Sequence, residues 1–121
     1  MALSVIPSGV LPHVKELTRR IVRDCADEGH PITHVWGYSS SALSDHRNRR
    51  CVDLMVRSRS DGDWIMGYLR RHENELQLRY VIWWGKQWRD YVKTNVPWHA
   101  RVKYFGWNQH HDHLHVEFDA A

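Results

Sequence analysis

The spacing of apolar positions changes period several times along the chain, and each change marks an element. From Pro12 onward, Val14, Leu17, Ile21, Val22 and Cys25 recur three or four residues apart, which places them on one face of an α-helix. Ser8 or Gly9 leads into this helix, Pro12 suits a first turn that has no use for its missing N–H, and Gly29 stops it. The stretch "ITHVWGY" reads as a short strand running into the polar, turn-rich loop "SSSALSDHRNRR", and "CVDLMV" as a second strand. A second helical pattern fills "DGDWIMGYLRRHENEL", with Asp61 as its candidate cap. "LRYVIWWGKQW" gives a strand or a hairpin around Gly85, and "HLHVEF" closes the chain as a strand with alternating sides. The order α, β, β, α, β, β predicts an α+β fold, a small and largely antiparallel sheet packed with helices. At 121 residues, without repeats, low-complexity tracts or an internal linker, residues 1–121 read as a single domain.

The same alternation shows where chemistry interrupts packing. Asp53 stands between Val52 and Leu54 in an apolar strand, where a carboxylate is costly unless it is paired or bound to a metal. In "DHLHVEF", His113 and His115 share one side of the strand, while Leu114, Val116 and Phe118 point the other way into the core. His46, in the polar loop seven residues before Asp53, completes a set with Asp53 and one of His113 or His115. Two histidines, one carboxylate and an open fourth position is a common way to hold catalytic zinc. Asp112 and His113, beside the ligand strand, are the candidates for the base such a site needs.

Composition narrows the class without choosing a substrate. A hydrophobic fraction of 42% and seven tryptophans belong to a chain that folds. No run approaches the ~18 apolar residues of a membrane span. "MALSVIPSGVLPH" lacks a basic n-region and an unbroken apolar core, so no secretory signal is expected. The net charge of +3 would suit an anionic polymer, nucleic acid or cell wall, and ordinary solvated charge accounts for it equally well. Cys25 and Cys51 lack C-x-x-C spacing and read as two buried thiols. Trp83, Trp84 and Trp88 read as core and cleft wall, whereas Trp98 and Trp107 flank the loop before the ligand strand.

Ser44 and His46, then Asp53, then Asp112 and His115 in "DHLH" form a pattern, S-x-H-x6-D followed by D-x-x-H. It resembles the signature of the zinc D-Ala-D-Ala carboxypeptidases and the phage L-alanyl-D-glutamate endolysins, the VanY/VanX-like group with the Hedgehog/DD-peptidase fold. "VIWWGKQW" and "HHDHLHVEF" extend the likeness to about residues 32–118. The resemblance implies one Zn2+ held by His46, Asp53 and His115, with Asp112 as general base and His113 assisting it or steadying the intermediate. The reverse assignment stays open, because carboxylates commonly orient imidazoles near zinc. Ser44 comes with the motif as a substrate-side residue. The family's oxyanion-binding arginine in a "GYRS" segment is absent, since Gly37, Tyr38, Ser39 and Ser40 stand there; Tyr38, His34 or a nearby arginine would take its place. Arg49, in the basic loop of Arg47 to Arg50, would meet substrate carboxylates, and Trp107 would border the groove. The family usually has glycine where Arg49 stands and a small residue at Cys51.

The activity so implied is a metallopeptidase that hydrolyses an amide bond in the peptidoglycan stem peptide or cross-link, as a phage endolysin does in cell lysis. Such a chain would be made in the host cytoplasm without a signal peptide and act at the bacterial wall after release. A wall-binding domain following "FDAA" in the full-length protein would fit that role. Two other classes remain: a metal-dependent nuclease, permitted by histidine-rich "DH" motifs and mild basicity, and a non-catalytic wall-binding module of the same fold. Against the nuclease, "DHLHVEF" runs as a strand without a strand-turn-helix setting, so no nucleic-acid partner is expected.

Overall fold

Two helices and six strands make up the residues that the computed structural model describes: 9–37, 48–84, 86–89, 101–103 and 112–120, with backbone alone for 86–89 and 101–103. Helix α1, Pro12–Asp27, starts with proline and has no side-chain cap. The Leu11 N–H donates instead to the Arg49 carbonyl at 3.0 Å, which ties the helix start to the loop preceding the second strand. Just beyond the C-cap Glu28 stands Gly29, whose φ of +82° is a left-handed conformation open to a residue without Cβ. Val14, Ile21, Val22 and Cys25 are buried as the periodicity predicts, with Leu17 packed at the margin. Thr18 joins them, its hydroxyl satisfied by the Val14 carbonyl at 2.7 Å.

Helix α2, Arg59–Arg71, is capped by Ser58 and not by Asp61. Ser58 has the extended backbone a cap requires, and its Oγ accepts from the Asp61 N–H at 3.1 Å. Asp61 lies inside the first turn, where the positive end of the helix dipole also favours a carboxylate. It accepts from Arg57 Nε at 2.8 Å and from His30 Nδ1 at 2.9 Å. Gly62 packs against the indole of Trp83, and an added Cβ there would clash with the ring.

The strands are β1 (Ile32–Trp36), β2 (Cys51–Val56), β3 (Leu78–Trp83), β4 (Lys86–Arg89), β5 (Arg101–Lys103) and β6 (His113–Phe118). They form one sheet in the order β1-β2-β6-β3-β4-β5, every neighbour antiparallel. The fold is therefore α+β, as the pattern predicts. It carries two strands more than the predicted order, because the hairpin separates into β3 and β4 and because three-residue β5 is too short to show a period. The last strand of the chain lies in the interior of the sheet, between β2 and β3.

One face of the sheet packs on both helices. Val52 and Leu54 of β2, Val81 and Trp83 of β3, and Leu114, Val116 and Phe118 of β6 share a core with Val14, Ile21 and Val22 of α1 and Ile65 and Leu69 of α2. The alternate positions form the second face: Cys51 and Asp53 on β2, His113, His115 and Glu117 on β6, Tyr80 and Ile82 on β3. This face is polar in sequence but not wet, for His113, His115 and Glu117 are only 8%, 6% and 6% exposed.

Candidate metal centre on the second face of the sheet

Strand pairing brings the two halves of the motif together. Asp53 and His115 are Cα partners across β2 and β6, and His115 Nδ1 stands 3.1 Å from Asp53 Oδ1. His113, one step along the same face opposite Met55, places Nε2 at 3.7 Å from the same oxygen. The other nitrogen of His113, Nδ1, lies 2.7 Å from Asp112 Oδ1. The Asp112 side chain is 73% exposed while that of His113 is 10% exposed, so the pair runs from solvent inward to Asp53.

A carboxylate oxygen and an imidazole nitrogen are both suitable zinc donors. Their 3.1 Å separation is close to the ~3.3 Å edge of a tetrahedron with bonds of ~2.0–2.1 Å. Among the described residues, no three His, Cys, Asp or Glu side chains are arranged to hold a metal ion. The two donors present fit zinc, and the third expected ligand, His46, lies outside the described residues. So do Tyr38, Ser44 and Trp107, and with them Trp98 and the side chain of Trp88.

The remaining expected residues have definite positions. Arg49 donates from Nη1 to the Gly9 carbonyl at 3.0 Å and has a φ of +62°, the left-handed region that favours glycine. His34 is exposed on β1 beside Trp36, ring centroids 6.3 Å apart. Cys25 and Cys51 are buried thiols not joined in a disulfide, as expected. Burial pushes the Cys25 thiol up to about 12, which leaves it protonated and unsuited to nucleophilic or metal chemistry.

Three residues of this face have no signal in the sequence motifs. Tyr80 directs its hydroxyl to His115 Nε2 at 3.2 Å. Glu117, next to Asp53 and His115 in the sheet, accepts from Asn48 Nδ2 at 2.9 Å and from the Cys51 thiol at 3.4 Å. Its other oxygen lies 3.3 Å from Arg79 Nε. These partners anchor the chain where the basic loop enters β2. Trp36 is the Cα partner of Asp53 and is 60% exposed, so an aromatic ring borders the carboxylate on the open edge of the sheet. The period-two pattern could have nominated Glu117 as facing the same way as the histidines, but nothing local links Tyr80 or Trp36 to them.

A separate hollow of about 440 Å³ lies between the helices, lined by Asp24, Trp64, Tyr68 and His72 among others. Within it Tyr68 donates to Asp24 at 2.7 Å, and Trp64 stacks on neighbouring His30 with centroids 4.4 Å apart.

A family model described as VldE, C-terminal domain, matches residues 7–113. The matched span takes in His46, Asp53, Asp112 and His113 and stops short of His115. No curated protein and no solved structure matches the chain.

Proposed function

The chain belongs to the family described as VldE, C-terminal domain, and within it we propose a zinc-dependent peptidase, with a Hedgehog/DD-peptidase-like fold, that hydrolyses an amide bond of bacterial peptidoglycan. The observation that carries this reading is the register of β2 on β6. Two expected ligands, 62 residues apart, become direct partners with donor atoms 3.1 Å apart. A slip of one residue would have sent either of them into the core. Arg49 adds support: at the position where the resembled family usually carries glycine, the backbone has a glycine-like φ.

Asp53 Oδ1 and His115 Nδ1 would hold the ion with His46 as third ligand. When bound, zinc supplies Lewis acidity, acidifying a water and polarising a carbonyl oxygen. Proton transfer falls to the Asp112–His113 pair. The carboxylate accepts, so His113 donates from Nδ1 to Asp112 at 2.7 Å, and Nε2, 3.7 Å from Asp53 Oδ1, is the acceptor nitrogen of the neutral ring. This supports His113 Nε2 as the group that takes the proton of the attacking water and Asp112 as the group that orients it, the reverse of the assignment the motif favours. The water oxygen bonds to the scissile carbonyl carbon, the C–N bond breaks, and Nε2 returns the proton to the departing amine. The substrate would be the stem peptide or cross-link of the wall, reached after release from the cytoplasm. No helix among the described residues is long and apolar enough to cross a membrane.

Digestion of purified peptidoglycan, with and without added zinc, followed by mass analysis of the fragments, tests the reading. Zinc-dependent release of peptides with one new amine and one new carboxylate is expected. Nicking of plasmid DNA with no such fragments would replace the peptidase by a nuclease, and neither activity in zinc-loaded protein would leave a binding module.

A further inference from the structure

Tyr80 carries no motif, yet its hydroxyl meets His115 Nε2 at 3.2 Å and its ring stacks on the imidazole, centroids 5.6 Å apart at 24°. Both residues are buried. A backbone irregularity puts Tyr80 there. Leu78 pairs with Phe118 on the core face, and strict alternation would send Tyr80, two residues on, to the same face. A register shift between Leu78 and Tyr80 pairs it with Glu117 instead, on the face of His115.

We infer that Tyr80 is a positioning residue for the metal ligand: its hydroxyl holds the His115 ring in place while the ring proton changes nitrogen on metal binding. The inference rests on the zinc reading above. Without metal, the Asp53 carboxylate can only accept, so His115 Nδ1–H donates to Asp53 Oδ1 across 3.1 Å. Nε2 of the neutral ring then holds a lone pair, and the Tyr80 O–H donates to it. With Nδ1 engaged as a metal ligand, the neutral His115 ring would carry its proton on Nε2. That Nε2–H would donate to the Tyr80 oxygen, and the hydroxyl hydrogen would turn elsewhere. The ring neither gains nor loses a proton overall; only the tautomer changes. A carboxylate or a backbone carbonyl in place of Tyr80 could serve only the second state, and an ammonium only the first. A hydroxyl serves both, because it donates and accepts.

The test compares zinc affinity of the wild type and Tyr80→Phe by competition with a chromophoric chelator. The phenylalanine keeps the stacked ring and removes the hydroxyl. Binding roughly 10–100-fold weaker, the usual cost of losing a partner of a metal-bound histidine, with an unchanged circular dichroism spectrum, supports the assignment. Equal affinity in the two proteins overturns the role of Tyr80 and leaves the zinc reading standing. No zinc binding by the wild type overturns the zinc reading itself. If the variant does not fold, the wild type decides alone. Long-range 1H–15N spectra of His115 should show Nδ1–H before zinc and Nε2–H after it. A ring that keeps one tautomer throughout overturns the inference.

Discussion

The two faces of the sheet are built from the same strands and are both buried, yet they obey different rules. On the helix face Val52, Leu54, Leu114, Val116 and Phe118 are wholly buried and apolar, and contact alone stabilises them. The other face carries Asp53, His113, His115 and Glu117, and burial there opposes folding unless each polar atom finds a partner. The partners found lie on this face or beside it: Asp53 for His115, Asp112 for His113, Asn48 and Arg79 for Glu117. Apolar packing tolerates substitution by similar volume, whereas the loss of one member of a paired polar set leaves its buried partner unsatisfied. The first face makes the chain fold; the second retains polar groups that packing alone would not select.

Substitutions can break this division, starting with the largest effect. Asp53→Ala should abolish zinc binding and peptidoglycan hydrolysis while the chain still folds. Elemental analysis beside a digestion assay checks it, and a normal zinc content with full activity would show that Asp53 is no ligand. Next come the proton-handling residues. At matched zinc occupancy, His113→Ala should lower turnover by roughly 10²–10⁴, and Asp112→Asn by less, since it removes only the group that orients the ring. A collapse in Asp112→Asn with His113→Ala near wild type would return the role of base to Asp112.

Leu114 sits between the two histidines and faces the other way. Leu114→Ala should cost about 2–5 kcal/mol of stability in urea unfolding and leave zinc content per folded molecule unchanged. Metal loss in the still-folded fraction would mean that the faces are not separable.

Acid should also weaken the fold through carboxylates away from the sheet. The Arg57 and His30 hydrogen bonds hold the Asp61 carboxyl below the usual carboxylate range, and the Tyr68 hydroxyl does the same for Asp24. A depressed folded-state value means that stability is present above the unfolded-state value, near 3.8, and is lost as pH falls through it towards the folded-state value. Asp61→Asn should cost about 1 kcal/mol at neutral pH and flatten the fall between pH 5 and pH 3, approximate bounds set by ordinary carboxylate values, as followed by urea midpoints. The smallest effect sharpens the family resemblance. Arg49→Gly should stabilise the chain by about 0.5 kcal/mol, because glycine relieves a left-handed φ that disfavours arginine. A loss of stability would mean that the arginine's hydrogen bond to Gly9 outweighs the strain.

Period and punctuation are local, and what depends on them was legible in the residues alone. The bounds of β2 and β6, the buried stripe of α1 and its stop at Gly29 follow from side-chain directions that repeat within a few residues. So does the division of "DHLHVEF" into a core side and a histidine side. The cap of α2 was misread because Ser58 and Asp61 are both good capping residues, and only the backbone angles tell which one precedes the first turn. The rest depended on pairing between distant strands. That β6 lies between β2 and β3, that Asp53 meets His115 rather than a neighbour, and that an irregularity turns Tyr80 towards the same ring are facts of register. Register minimises the free energy of the whole sheet, and no short stretch of sequence contains it. The ligands could be named from the chain, but the residue that holds one of them in place appeared only once the strands were side by side.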